Sequence, residues 1–271
     1  AMECGGMSYR FTILGSGSSG GVPRLGNDWG ACDPENSRNR RLRCSALVER
    51  FSPRGATTVL IDSGPDIREQ LLSVRLSELD GVIYTHDHAD HTHGLDDLRV
   101  LCYRMRRRID AWFDEATEES LMTRFGYCFE SPPGRSYPPI LNARRIQAGQ
   151  PFDISGDGGA IAIHPVRQAH GEIDSLGFRI GGLAYSPDIS GLSDEAVEAL
   201  SGLDVWIVDA LRYTPHPSHF TVAQALEWIE RLAPRRAILT HLHIDLDYET
   251  LRRELPANVE PAYDGMQFHF D

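Results

Sequence analysis

The segment Gly81-Val82-Ile83-Tyr84-Thr85-His86-Asp87-His88-Ala89-Asp90-His91-Thr92-His93 joins a short apolar strand pattern to a knot of titratable side chains. Three histidines and two aspartates fall within His86 to His91. Such groups are costly to bury without partners and too many for an ordinary turn. In an extended chain, His86 and His88, two residues apart, put both imidazoles on one face. Asp90 and His91 then turn back to serve a second position. Carboxylate oxygens and imidazole nitrogens together suit divalent zinc, iron or manganese. The end of a strand is also where a rigid sheet can present side chains to a cleft.

Outward from this segment, short apolar runs predict strands at 9–14, 44–51, 57–61, 81–85, 160–166, 177–180, 183–186, 205–208, 237–240 and 266–270. Helical spacing predicts helices at 65–74, 95–107, 115–125, 194–200, 221–232 and 247–253. The clearest helix is 221–232. Val222, Leu226, Ile229 and Leu232 form a stripe, Thr221 and Gln224 read as a capping box, and Pro234 closes the pattern. Strands cluster near 10–60 and 160–210, which predicts two sheets rather than one doubly wound sheet.

The chain of 271 residues carries 27 Lys+Arg against 39 Asp+Glu, a formal net charge of −12. That balance argues against a protein that grips long nucleic acid, which needs excess Lys and Arg to displace counterions. A small anion held at a local positive site remains compatible. The five cysteines include no C-x-x-C pair, so neither a disulfide framework nor a zinc ribbon is written here, and reduced thiols in the cytoplasm are expected. No run of 18 apolar residues predicts a membrane helix. Residues 1–8 read as a leader or cloning remnant, with Met7 a plausible start, and 9–271 as one domain.

Gly15-Ser16-Gly17-Ser18-Ser19-Gly20 fits G-x-G-x-x-G after a strand. A dinucleotide site also needs a helix to begin within the glycines. Gly21, Pro23, Gly26 and Gly30 follow instead, with no apolar period, so the reading is a glycine-rich turn.

The His86-x-His88-x-Asp90-His91 run after a strand resembles that of the metallo-β-lactamase superfamily. The resemblance implies an α+β fold, an αββα sandwich of two mixed sheets flanked by helices. It also implies two divalent cations, Zn²⁺ or Mn²⁺. His86, His88 and His170 would hold one; Asp90, His91 and His241 the other; Asp188 would bridge. His170, Asp188 and His241 each follow a strand pattern, as the histidine run does. Further segments (14–21, 44–48, 60–62, 238–241 and 264–266) resemble PhnP-type phosphoribosyl cyclic phosphodiesterases. This likeness runs over nearly the whole chain. It implies hydrolysis of a small cyclic or nucleotide-like phosphodiester by a hydroxide on a dinuclear metal site. Asp90 and His219 would be catalytic. Glyoxalase-type thioester hydrolysis is the alternative; tRNA 3′-end cleavage is less favoured because no basic arm is present. A homodimer is common among similar proteins. Such proteins also carry a second, structural zinc on a Cys-rich loop; here only Cys32 stands there, so none is expected.

His219 directly precedes the capped helix at 221–232, whose N–H groups are expected to favour a phosphate. Asp62 either orients a metal ligand or caps its strand. His216 and His243 are candidates for substrate contact. His93 reads as a loop side chain, and His164 and His269 as structural. The arginines at 38, 40, 41 and 43 read as a solvated face, and those at 104 and 106–108 as a helix end suited to cations; either cluster could also offer an arginine to a phosphate.

Overall fold

The computed structural model describes residues 8–271; the proposed leader, apart from Ser8, lies outside the described residues. The strands in chain order are β1 (Ser8–Gly15), β2 (Ser45–Ser52), β3 (Gly55–Ile61), β4 (Gly81–Ile83), β5 (Ile109–Phe113), β6 (Leu141–Arg145), β7 (Phe152–Ile154), β8 (Ile161–His170), β9 (Ile173–Ile180), β10 (Leu183–Ser186), β11 (Val205–Asp209), β12 (Arg236–Thr240), β13 (Val259–Pro261) and β14 (Gln267–Phe270). They form two seven-stranded mixed sheets, β14-β1-β2-β3-β4-β5-β6 and β13-β12-β11-β10-β9-β8-β7. Flanking helices are α1 (Ile67–Ser73), α2 (Ala89–Thr92), α3 (Arg99–Met105), α4 (Glu115–Phe129), α5 (Asp194–Ala199), α6 (Val222–Leu232) and α7 (Tyr248–Glu254). Two mixed sheets with flanking helices is the expected fold class. No helix among the described residues is long and apolar enough to cross a membrane.

The chain divides into two compact units. The first holds the chain through Thr12, Ser45–Ile163 and Gln267–Asp271; the second holds Ile13–Cys44 and His164–Met266. In the first unit, β2 and β3 form an antiparallel pair. β3, β4, β5 and β6 then run parallel to their neighbours. Parallel strands are apolar along their length because both faces are covered, and Val59, Leu60, Ile61, Val82 and Ile83 are fully buried.

In the second unit, β10, β11, β12 and β13 are parallel. Trp206, Val208, Ala237 and Leu239 join Val222, Ala225, Ile229 and Leu232 of α6 in one buried cluster. The buried face of α6 thus uses Ala225, while Leu226, expected in the stripe, is only partly buried. The capping box is present: Thr221 Oγ1 accepts from Gln224 N at 3.1 Å, and Gln224 Oε1 accepts from Thr221 N at 2.9 Å.

The glycine turn after β1 starts no helix; the next helical residues are the 3₁₀ turn Ser37–Asn39. Its glycines serve close packing instead. A Cβ at Gly17 would stand 2.9 Å from the Arg41 carbonyl oxygen.

Candidate metal centre

In the first unit β4 ends at Ile83, and the chain runs through His86 and His88 into α2, with His88 as N-cap. His86 and His88 meet edge to face with ring centroids 4.6 Å apart, and His86 and His91 lie 4.4 Å apart. His91 Nδ1 lies 2.7 Å from Asp62 Oδ2. Asp62 also accepts from Thr85 N and Thr85 Oγ1, both at 2.8 Å. Thr85 Oγ1 in turn lies 2.9 Å from His86 Nδ1. Asp62 is wholly buried and takes a left-handed φ of 61° at the end of β3. Burial pushes its carboxyl above the ordinary aspartate range, against the downward pull of His91 and the Thr85 hydrogen bonds. Of its two sequence readings, this geometry matches orientation of a histidine. Asp90 Oδ2 lies 3.4 Å from His91 Nε2.

In the second unit, His170 is the last residue of β8 rather than a loop residue beyond it. Its Nδ1 donates to the Ser218 carbonyl at 2.6 Å. Asp188 follows β10, and His241 follows β12 with a left-handed φ of 59°. A non-glycine residue there stores strain, as residues at functional sites often do. Asp188 Oδ2 lies 3.4 Å from His170 Nε2, and Oδ1 lies 3.5 Å from His241 Nε2. His219 Nε2 is 3.9 Å from Asp188 Oδ2, and its ring stacks on His241 at 4.5 Å. The opposite nitrogen, Nδ1, is 2.5 Å from Asp209 Oδ2.

Asp209 was not singled out from the sequence, nor were Thr85 and the Ser218 carbonyl. An aspartate closing the apolar run Val205–Asp209 is the one signal available, and it reads equally as a strand end. The N–H groups of α6 are less open to a phosphate than expected. Gln224 N is taken by the cap, and Val222 N donates to the Arg212 carbonyl.

His216 packs 5.0 Å from His219. Burial holds its pKa below the usual histidine value, and His219, Arg212, His241 and His243 push the same way. His243 is likewise lowered, first by burial, while Asp245 opposes. His93 is exposed and accepts from Arg124 at 2.9 Å; Arg124 also donates to the Asp87 carbonyl and so braces the histidine run. His164 and His269 sit in β8 and β14, in register with Arg179 and Arg10.

The histidine and aspartate side chains of both units are donors of the kind that holds a divalent cation. His86, His91 and His170 each have Nδ1 engaged by a protein group, which leaves Nε2 as the nitrogen that could meet a cation, the arrangement that orients metal-binding imidazoles. Within the second unit alone, Asp188, His219 and His241 offer ligand atoms within 4.8 Å of one another. Nitrogen and carboxylate donors of this kind suit zinc or manganese.

Cys32 is engaged differently. Its Sγ donates to the carbonyls of Ile244 and Leu246, at 3.3 and 3.5 Å. Beside it Arg41, 1% exposed, donates to Leu246 O at 2.6 Å and to His243 O at 3.3 Å. Arg41 therefore does not belong to a solvated face. Its acceptors lie some 200 residues along the chain, out of reach of any local pattern.

Residues 57–242, more than two thirds of the chain, match the Beta-lactamase superfamily domain. The crystal structure of a diphosphatase from the PhnP family aligns with a TM-score of 0.87 at 35% identity, over 98% of each chain. An octanoyltransferase of Porphyromonas gingivalis is 33% identical over 267 residues, covering 97% of this chain; the chain spans 52% of that relative. Zn²⁺-bound PqqB from Methylobacterium extorquens shares the fold, with a TM-score of 0.76 at 16% identity over 96% of this chain and 99% of that one. The chain belongs to the metallo-β-lactamase superfamily and within it is a PhnP-like protein.

Proposed function

We propose that this PhnP-like protein, a metal-dependent hydrolase by family and ligand chemistry, cleaves a small cyclic or nucleotide-like phosphodiester of the phosphoribosyl 1,2-cyclic phosphate type. The observation that carries the reading is the His219–Asp209 pair, 2.5 Å apart, beside Asp188. It adds an anchored imidazole to a ligand set that thioester hydrolysis would not need to extend. In the proposed assignment His86, His88 and His170 would hold one cation and Asp90, His91 and His241 the other, with Asp188 available to either. When bound, the two cations supply an acidified water and offset charge on the phosphoryl oxygens.

The remaining chemistry belongs to the side chains. Asp62 keeps the His91 proton on Nδ1. The Ser218 carbonyl does the same for His170. Asp90 takes the proton of the attacking water. Asp209 holds the His219 proton donor in place, and His219 Nε2 protonates the leaving oxygen or stabilises the charged phosphoryl oxygens.

A second reading is cleavage of a diphosphate linkage, supported by the likeness to the 35% identical diphosphatase of the PhnP family. Octanoyl transfer is not part of the proposal, since that relative is about twice as long as this chain. The proposed setting is the reducing cytoplasm, consistent with buried Cys32, Cys44, Cys102 and Cys128, none of them in a disulfide.

The test is metal analysis followed by parallel assays on bis-p-nitrophenyl phosphate, ribosyl cyclic phosphate, a nucleoside diphosphate, lactoylglutathione and a chromogenic lactam. Phosphodiester turnover is expected. Thioester turnover without it would overturn the reading, and turnover of the diphosphate alone would select the second.

A further inference from the structure

Behind Asp188 lies a buried polar network that the proposed chemistry leaves unused. Gln168 of β8 and Ser175 of β9 stand opposite one another across the antiparallel strands, and each is 1% exposed. Residues paired in this way share one face of the sheet. Gln168 Nε2 donates to Ser175 Oγ at 3.1 Å, and Ser175 Oγ donates to the Asp188 carbonyl at 2.5 Å. Gln168 Nε2 also faces that carbonyl, at 3.5 Å. A carbonyl only accepts, so the amide nitrogen, not its oxygen, is the atom turned toward Asp188.

The same peptide group is held again at its other end. Ile189 N donates to Asp209 Oδ2 at 3.1 Å, the oxygen that also lies 2.5 Å from His219 Nδ1. Main-chain bonds fix the residues that follow: Phe220 N donates to Ile189 O at 2.9 Å, and Ser190 N to Ala169 O at 2.7 Å. A peptide unit is planar and includes both flanking Cα atoms. Side chains at both ends of the Asp188–Ile189 unit therefore fix the Cα from which the Asp188 carboxylate projects. That carboxylate lies 3.4 Å from His170 Nε2 and 3.5 Å from His241 Nε2. Stability alone does not account for the network. Gln168 Oε1 is buried without a hydrogen-bond partner among the described residues, and an unsatisfied buried acceptor is destabilising. Gly177 of β9 makes room for it: a Cβ there would stand 2.2 Å from Oε1. Glycine inside a strand is destabilising as well.

We infer that Gln168 and Ser175 are positioning residues for the metal centre: they clamp the Asp188–Ile189 peptide against Asp209 and so hold the Asp188 carboxylate ready for a cation. The inference rests on Asp188 being a cation ligand, as the proposed function assigns it, and not on which ester is cleaved. A ligand held in place beforehand loses less freedom when the cation binds, and affinity rises accordingly.

Three measurements test it together: Zn²⁺ affinity by competition with a chelator, the visible spectrum of the Co²⁺-loaded protein, whose bands report ligand geometry, and the Tm of the metal-free protein. Ser175→Ala is expected to weaken Zn²⁺ binding about 10- to 100-fold, the range for outer partners of metal ligands, and to alter the Co²⁺ spectrum. Gln168→Met, of similar volume, and Gly177→Ala, whose Cβ displaces the carboxamide, should move both readouts in the same direction by less, because each leaves the Ser175 bond in place. Gln168→Met carries the comparison if Ser175→Ala proves unstable. Leu200→Ala trims a wholly buried core residue away from the network and should lower Tm with affinity and spectrum unchanged. Wild-type affinity and spectrum in Ser175→Ala, or an equal loss of affinity in Leu200→Ala, overturns the inference. Asp188→Ala tests the assignment beneath it and should lose more affinity than Ser175→Ala. Wild-type Zn²⁺ binding by Asp188→Ala would remove Asp188 from the ligand set and take the inference with it, whereas a loss confined to Asp188→Ala would overturn the inference alone.

Discussion

Asp62 and His91 are joined by a 2.7 Å contact between side chains that are both fully shielded from solvent. The carboxylate does not compete for a cation at that nitrogen. It fixes which nitrogen of His91 carries the proton and which way Nε2 points.

Asp62→Asn keeps the volume and loses the anionic acceptor. Such outer partners typically matter about 10- to 100-fold in metal affinity, and a loss of that size is expected in competition with a chelator. An unchanged metal affinity would return Asp62 to the role of a strand-end cap.

His219 makes a different demand. Its Nε2 is farther from Asp188 than those of His170 and His241, and its Nδ1 is committed to Asp209. His219→Ala should lower kcat by about 10²-fold or more, the range of general acid–base assistance, with metal content intact. Asp209→Asn should lower kcat in the same direction and shift the pH profile. Loss of metal from His219→Ala would make His219 a ligand instead.

Much of this was legible in the chain, and the rest has identifiable reasons for hiding. Helix α6 was readable because its cap and its apolar period both lie within a dozen residues. In the second unit, β10, β11 and β12 were readable as apolar runs. β5 and β6 were missed. β5 follows the basic residues 104 and 106–108 and alternates buried with half-buried residues, while β6 is an edge strand with only Leu141 buried. Short β7 and β13 have too few residues to set a period. Asp209 and Arg41 were unreadable for a deeper reason. The identity of a buried polar residue's partner is decided by tertiary structure, and no spacing rule reports it.

Arg41 gives that point a measurable form. Its guanidinium also contacts Asn39 Oδ1 and Cys32 Sγ, at 3.4 and 3.5 Å. Burial pulls its pKa below the ordinary arginine value, while the neighbouring Cys32, Asp264 and Asp247 push it back. Arg41→Met would leave the His243 and Leu246 carbonyls short of a donor. A cost of about 3 kcal/mol is expected, read as a lower midpoint in urea with an unchanged m-value. A midpoint equal to that of the wild type would show that the buried charge contributes nothing net.

Asp264 ties the glycine turn to the segment that leads into β2, and its protonation sets a pH dependence. Its Oδ1 accepts from Ser16 N at 2.9 Å and Ser16 Oγ at 2.8 Å, and Oδ2 accepts from Leu42 N at 2.8 Å. Burial nonetheless dominates and pushes the carboxyl up to about 6. An acid whose pKa is raised on folding favours the folded state most when both states are protonated. That contribution is complete below about pH 4, the ordinary aspartate range, and is lost as pH rises through about 6. A shift of this size corresponds to at most about 3 kcal/mol. Asp264→Asn cannot titrate, so the stability of the wild type relative to it should rise as pH falls from 7 to about 4. Urea unfolding of both proteins across that window measures the difference, and a pH-independent gap would show that the three hydrogen bonds, rather than burial, govern Asp264.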